Sequence, residues 1–578
     1  MKKKVLPLAV GAAAAVTMSA AQAAMYVNDK GMGEALIFPF YSAENGNNTL
    51  INIVNTVDSA PATATTDDTG AWKAVKVRII EGQNSQEVLD FNLYLSPKDH
   101  FSFAISATAD GGGMIKTADN SCTVPAIPAE GQPFVNFEYL GDKRDAAGQA
   151  KAILPNVVGE DGYTQAQADK AAPIYDNTSI ERTAIGYVEV IEMGQIDPDD
   201  ETGAVWLGLR KETTTVKKFS AAASITHDAD GMPKDCTLVN EAWSKVAGVQ
   251  GTWLGETAAN AGRGVSEMED AWLGGGLYGY STVINVPQGA AFGYDSVAID
   301  ELVATDDGHA LHYAPGSIKP NFADTNNDTS SLIYTEAGAS FPMTYDGYPA
   351  GVNQLQAVNS TIMATEVMND YVTDADIAAT TDWVLTFPTK RYHIDATVPV
   401  EPFSSAWTGM AACEATSISV TDREESTPPP LTPGDTPPIF SPPPPVVPED
   451  PVSDNLLLCY ETTIVQFADG VSAAGTNSLA VGVNGYLEEE DGWASISFDP
   501  ADLFAGGTEL GSCSHDTLTV AHTDCTREIM DSANDTLLGL PVVGFAVQKY
   551  TNGDAGGAGV LANYAMSTEH KTRVTLSD

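Results

Sequence analysis

Runs of apolar residues at every second position constrain this chain more than any other feature. Val75, Val77 and Ile79 alternate with Lys76 and Arg78. Phe91, Leu93 and Leu95 alternate with Asn92 and Tyr94, and Phe101, Phe103 and Ile105 repeat the period. In extended backbone, successive side chains point to opposite faces, so each run reads as a half-buried strand. The runs are short, and turn-forming stretches part them: Glu81-Gly82-Gln83-Asn84, then Ser96-Pro97-Lys98-Asp99. Residues 48–54, 185–193, 221–226, 383–387, 456–467, 494–498 and 543–547 read as further strands.

Short strands closely spaced by turns predict a mainly β, multi-domain β-sandwich, immunoglobulin-like at the amino terminus, with a few short helices. Three domains are expected after a leader at 1–23: a sandwich with an insertion at 24–240, a β-rich region with one helix at 241–400, and a β domain at 401–578. The helix is placed at 353–370, where Leu355, Val358, Ile362 and Val367 share a face and Asn353 serves as cap. Two Ala-rich stretches, 145–153 and 164–172, read as surface helices. Asn552 to Gly559 reads as a glycine-rich turn between the two final strands.

The first residues carry Lys2, Lys3 and Lys4, an apolar run over 5–16, and Ala21-Gln22-Ala23. That order is a secretory signal peptide with an A-x-A cleavage site. Cleavage leaves 555 residues (578 − 23) and takes the net charge from −48 to −51 by removing three lysines. The mature chain is expected to be secreted or at the cell surface, with the periplasm as a further address. No later apolar stretch approaches the roughly 18 residues of a membrane span. The 33 prolines and the final Leu576-Ser577-Asp578 argue against an outer-membrane barrel.

Export makes disulfides the expected state of the six cysteines. Sequential pairing gives Cys122–Cys236, Cys413–Cys459 and Cys513–Cys525, although spacing alone does not choose among the possible pairings. Between the second pair lies a proline-rich stretch, 426–451, with Pro428-Pro429-Pro430 and Pro442 to Pro445. Proline fixes φ and removes a donor, so this is polyproline II or loop. It reads as an excursion tied at its base by Cys413–Cys459, with an interdomain linker as the alternative.

With 77 acids against 29 bases, the chain repels nucleic acid phosphates and anionic lipid surfaces, so neither is expected as a partner. Expected partners are further copies of itself or other envelope and extracellular components. No cofactor is expected, with Ca²⁺ the one candidate. Asp324, Asn326 and Asp328 have D-x-N-x-D spacing, which sets oxygen ligands on one side of a tight loop. The match to an EF-hand is partial, since Thr329 and Thr335 stand where Gly and a bidentate Glu belong. Asp197, Asp199, Asp200 and Glu201, and Asp228 and Asp230 before Gly231, are further acidic clusters.

Sequence patterns that mark catalysis are absent: there is no G-x-S-x-G, H-E-x-x-H or P-loop run. His309 and His312, beside Asp306 and Asp307, read as loop histidines, as do His515 and His522. Glu488 to Asp491 reads as a solvated turn. The glycines at 274–276 precede a β-like run, which argues against a phosphate cradle. Trp253, Trp272 and Tyr280 are the aromatics that a carbohydrate site would use, against the plainer reading of core packing.

Longer phrases bear a resemblance. "ALIFPFYSAENGNNTLINIVNT" and "VKVRIIEGQNSQEVLDFNLYLSPKDHFSFAI" resemble the start of a family of secreted bacterial cell-surface proteins without an assigned activity. "GYVEVIEMG", "GGLYGYSTVINVPQG" and "TDWVLTFPTKRYH" are similar to later blocks of that family. The resemblance implies export, one continuous architecture and a proline segment that belongs to the fold. It brings no catalytic residue. The expectation is an exported, non-enzymatic structural or adhesive protein. A secreted hydrolase and a Ca²⁺- or carbohydrate-binding module are the rivals.

Overall fold

The computed structural model describes residues 24–58, 72–135, 179–196, 220–243, 245–246, 249–250, 253, 274–303, 311–323, 328–334, 340–348, 352–394, 399–408, 411–423, 456–468, 472–483, 487, 490–499, 513–514, 521–522, 527–552 and 563–577. Among them the chain is mainly β, and four larger sheets carry the architecture. The first sheet runs in the order Tyr26–Val27, Val297–Asp300, Ala35–Ser42, Ile185–Gln195, Lys73–Glu81, Glu87–Leu95, Cys122–Val124. The second runs Ala290–Asp295, Leu277–Asn285, Asn47–Asn55, His100–Ala107, Gly113–Lys116, Gln132–Pro133. Both are antiparallel, and they pack face to face as a sandwich.

Register explains the core between them. Ile51 sits opposite Phe103 and Ser281, and Val77 opposite Phe91 and Val190, so inward residues of neighbouring strands line up. Phe38, Ile51, Val77, Phe91, Phe103, Ile105 and Val188 form one dry cluster. Phe91 meets Phe101 and Phe103 edge-on, at 6.1 and 6.2 Å between centroids. Each such side chain contributes about 1.5–3 kcal/mol by leaving water.

The other face of the first sheet corrects the sequence reading. Strands Lys73–Glu81, Glu87–Leu95 and Ile185–Gln195 are buried along their whole length, not on one face. A second apolar cluster covers that face. It joins Ala35, Ile37, Ala74, Tyr94, Ile191 and Met193 to Ile225, Val239, Trp243, Phe322, Met343 and Val358.

Residues 221–226, expected as a strand, belong to this cover as the helix Ala221–Ile225. The Ser220 side chain caps it by accepting from the Ala223 N–H, and alanines lose the least on entering a helix. The helix expected over 353–370 ends early. It spans Val352–Thr361 and gives way to strands Met363–Ala364 and Glu366–Val372. Asn353 lies inside its first turn, with Oδ1 accepting from the Gln354 N–H. Beyond Thr361 the chain enters a sheet in which Val367 pairs with Ile496 and Thr572, and those pairings outweigh the apolar helical spacing.

The third sheet runs Ala480–Gly482, Thr462–Gln466, Ala379–Thr386, Val543–Tyr550, Tyr564–Glu569. The fourth runs Leu456–Leu458, Glu414–Asp422, Asp491–Ser497, Glu366–Val372, Lys571–Arg573. Residues 456–467, expected as one strand, are therefore two strands in two sheets, with the crossing at Cys459. Trp383, Leu385 and Val465 of the third sheet pack on Val367, Tyr371 and Ile496 of the fourth. The third sheet's opposite face, with Val384, Ile464, Phe545 and Val547, joins the core of the first sandwich. Phe545 stacks on Tyr294 there at 4.4 Å and 18°.

Two disulfides close the structure where the sequential pairing placed them. Cys122–Cys236 ties the edge strand Cys122–Val124 to the helix Cys236–Ala242, so it pins the cover to the first sheet. Cys413–Cys459 sits where Glu414 pairs with Leu458, at the base of the proline-rich excursion. The excursion itself, Cys525, the expected helices at 145–153 and 164–172, and the turn residues 553–562 lie outside the described residues. Of Cys513, only its place in the strand Cys513–Ser514 is described.

Candidate functional site

Two features stand out: a charged seam inside the protein and an aromatic face outside it. The seam follows from the covered face of the first sheet. Lys76 and Arg78 project there, opposite Ile191 and Glu189 on one neighbour and Asn92 and Asp90 on the other. Arg78 Nε donates to Glu87 Oε2 at 2.6 Å, and its Nη1 donates to Glu189. On the same face Lys76 Nζ donates to Asp90 Oδ1; on the sandwich-facing side, where Glu192 pairs with Val75, Lys73 Nζ donates to Glu192 Oε1 at 2.7 Å, and at the strand's end Arg182 Nη2 donates to Glu81 Oε1 at 3.0 Å. Burial opposes the charge of Arg78, yet Glu189 and Glu87 overcome it and hold the guanidinium well above its ordinary value. Burial pushes the Glu189 carboxyl up, with Arg78 working against it.

Beside the seam, Tyr94, Trp243, Trp253 and His312 form an aromatic box. Trp253 stacks on Tyr94 at 5.6 Å and 12°, and the His312 Nε2 lies 2.9 Å from the Tyr94 hydroxyl. The Trp243 indole donates to the same hydroxyl at 2.7 Å. All four residues are buried. The ion pairs link neighbouring strands of the first sheet, while the box ties Tyr94 of that sheet to Trp243 and His312 of the cover.

The outer face of the second sheet is different. Along Leu277–Asn285 the inward positions are buried and the outward ones are not. Tyr278 and Tyr280 are 36% and 38% exposed, and their rings are near-parallel, 6.5 Å apart at 19°. Gly279 between them faces inward, where a Cβ would meet the Phe38 ring at 2.3 Å, so the strand can lie this close only with glycine there. Leu50, opposite Thr282, is 37% exposed on the same face. Asp295 pairs with Tyr280 from the edge strand, and Asn52 pairs with it from the other side.

A groove of about 830 Å³ runs along these strands, lined by Tyr278, Tyr280 and Thr282, and by Asp29, Lys30, Asp295 and Glu569. Gly293, directly opposite Thr282, presents no side chain, which leaves the groove open at that point. One wall comes from the turn after Tyr26–Val27, where Asn28 accepts from the Lys30 and Gly31 N–H groups. The other comes from the edge strand Tyr564–Glu569 of the third sheet, whose Ser567 hydroxyl donates to the Gly293 carbonyl.

Residues singled out from sequence fall as follows. Asp328 is buried, its Oδ1 accepts from the Ser330 N–H at 2.9 Å, and burial raises its carboxyl to about 6. Its expected Ca²⁺ co-ligands Asp324 and Asn326 lie outside the described residues, as do the 197–201 cluster, His309 and Trp272. Asp228 spends its Oδ1 on the Asp230 and Met232 N–H groups of its own exposed turn. Trp253 is 1% exposed and packs in the box, so it offers no binding surface. His312 packs there too: it lies in a loop, as expected, hydrogen-bonded to Tyr94 but buried. Asp491 opens the strand Asp491–Ser497 and pairs with Arg423 at 2.8 Å.

Of the three aromatics considered for a carbohydrate site, Tyr280 alone stands exposed among the described residues. Asp295 carries no sequence signal, whereas Tyr278 does through the alternation Tyr278-Gly279-Tyr280: two aromatics two apart share a face. No protein-family model, curated protein or solved structure matches the chain.

Proposed function

We propose that this is an exported, non-enzymatic protein of the cell surface or exterior, adhesive in role, with the outer face of the second sheet as its contact surface. The observation that carries the reading is the pairing of Tyr278 and Tyr280, two large, near-parallel side chains half-exposed above a groove while the first sheet is covered on both faces. Aromatic residues kept exposed on a rigid sheet are what recognition surfaces use. Export is supported by the amino-terminal leader pattern and by the two disulfides, which persist in oxidising compartments. No helix among the described residues is long and apolar enough to cross a membrane.

Fractionation of native cells with amino-terminal sequencing tests the address: a mature chain beginning at Ala24, found outside the cytoplasm, is expected. Beads coated with the mature protein test the role. They should adhere to the native envelope or its shed material, and coating with the Tyr278→Ala/Tyr280→Ala variant should abolish that adhesion. Equal adhesion by both proteins would remove this face from the function.

A further inference from the structure

We infer that the groove beside Tyr278 and Tyr280 binds a neutral polysaccharide chain, an inference that rests on the adhesive reading and names its ligand. Three observations converge. First, two half-exposed tyrosine rings on one strand, 6.5 Å apart and 19° from parallel, offer aromatic contacts at neighbouring positions to consecutive sugar rings. The apolar CH face of a pyranose suits the electron-rich face of an aromatic ring, and a phenol adds a hydroxyl that reaches sugar hydroxyls.

Second, the groove is open at the surface, so a polymer can enter it from the side. Its charged lining is mainly acidic, with the Asp29, Asp295 and Glu569 carboxylates beside a single lysine, Lys30, among hydroxyl groups such as those of Thr56 and Thr282. Sugar hydroxyls are donors that such carboxylates accept from. Third, the surrounding charge selects against the alternatives. A chain with 77 acids and 29 bases, facing its ligand with three carboxylates and one ammonium, repels uronate, sulfate and phosphate polymers. The ligand that fits is uncharged, rich in hydroxyls and flat on one side.

The tyrosine pair is also built to hold its shape. Gly279 lets the strand pack tightly on Phe38, and Tyr280 is flanked by paired strands on both sides. Rings fixed by a sheet lose little freedom on binding.

The test is affinity electrophoresis of the mature protein through native gels containing hydroxyethylcellulose, xyloglucan, galactomannan or soluble starch, with alginate as the anionic comparison. Retardation is expected in at least one neutral gel and none in alginate. Tyr278→Ala and Tyr280→Ala should each weaken retardation roughly three- to ten-fold, while the Phe variants keep most of it. Both positions are exposed, so the variants should melt with the parent, and a circular dichroism melt checks this. No retardation in any neutral polysaccharide, or retardation unchanged in the double Ala variant, overturns the inference.

The bead assay above separates the two readings. Adhesion that depends on the tyrosines without polysaccharide retardation leaves the adhesive role and removes the glycan. Sedimentation showing a dimer that the double Ala variant dissolves assigns the face to a second copy of the chain and also overturns the inference.

Discussion

Arg78 provides the sharpest test of how the interior is held. It lies in the middle of the first sheet, with Glu87 Oε2 2.6 Å from its Nε and Glu189 at its Nη1. All three side chains are at most 6% exposed. At roughly 4 Å between charge centres and an effective dielectric constant of about 20, each attraction is worth about 4 kcal/mol. Stripping water from three ions costs several kcal/mol apiece, so the intact triad sits near balance against an apolar equivalent.

Removing one member is another matter. Arg78→Met leaves two carboxylates facing each other in a dry interior and should destabilise by about 3–5 kcal/mol. The triple variant Arg78→Met/Glu87→Gln/Glu189→Leu removes the charges together and should recover most of that loss. Urea unfolding followed by tryptophan fluorescence measures both, with Trp243 and Trp253 in the adjoining cluster as reporters. A loss below about 1 kcal/mol for Arg78→Met would mean that water or another cation reaches the carboxylates, and the sealed interior would be wrong. A triple variant no better than the single one would show the seam to be a net stabiliser.

Further outcomes follow from the same structure. Replacing Cys122 and Cys236 by Ala frees a loop of 114 residues and should cost about 5 kcal/mol in the chain-entropy account; Cys413 and Cys459, separated by 46, should cost about 4, both read from urea midpoints. His570 is buried with Nε2 3.1 Å from the Val384 carbonyl, and burial lowers it from 6.5 to about 3. Its stabilisation is full above pH 6.5 and is lost as pH falls toward 3, because the unfolded chain takes up a proton that the fold refuses. The parent should therefore lose up to about 1.4 kcal/mol per pH unit relative to His570→Gln between pH 6 and 4. That difference isolates the histidine from buried Asp382 and Asp328, which burial raises to about 7 and about 6 and which act in the opposite sense. Parallel pH–stability curves for parent and variant would refute it. Ser220→Ala removes the cap on Ala221–Ile225 and should cost about 1 kcal/mol by thermal unfolding.

The sheets were legible in the sequence because strand periodicity is local. Residues 75–79, 91–95 and 101–105 alternate whatever covers them, and the paired strands appear where the pattern places them. What covers each face is not local. Lys76 and Arg78 read as solvent-facing because their acceptors, Asp90, Glu87 and Glu189, lie on other strands, and because the covering helices come from beyond residue 220. The helix over 353–370 failed at its second half for the same reason. Val367 fits a helical stripe and a strand equally well, and only its partners Ile496 and Thr572 decide. In the candidate site, Tyr280 was visible from its place after a glycine run. Asp29, Asp295 and Glu569 were not, since three distant segments bring them to one groove.

Charge bears on the buried seam and on the outer face alike. The chain has 29 lysines and arginines. Of these, Lys73, Lys76, Arg78, Arg182, Lys390, Arg527 and Lys549 are buried among the described residues. Among the described residues the same interior holds fourteen carboxylates, among them Glu87, Asp90, Glu189 and Glu192, so burial withdraws charge of both signs and the exterior stays strongly acidic. A surface of that kind discourages self-association and contact with anionic polymers, more strongly the lower the ionic strength. Attraction to a partner must then come from interactions that charge does not oppose. Stacking on exposed aromatic rings and hydrogen bonds from neutral hydroxyls are of that kind, and the second sheet concentrates both in one place.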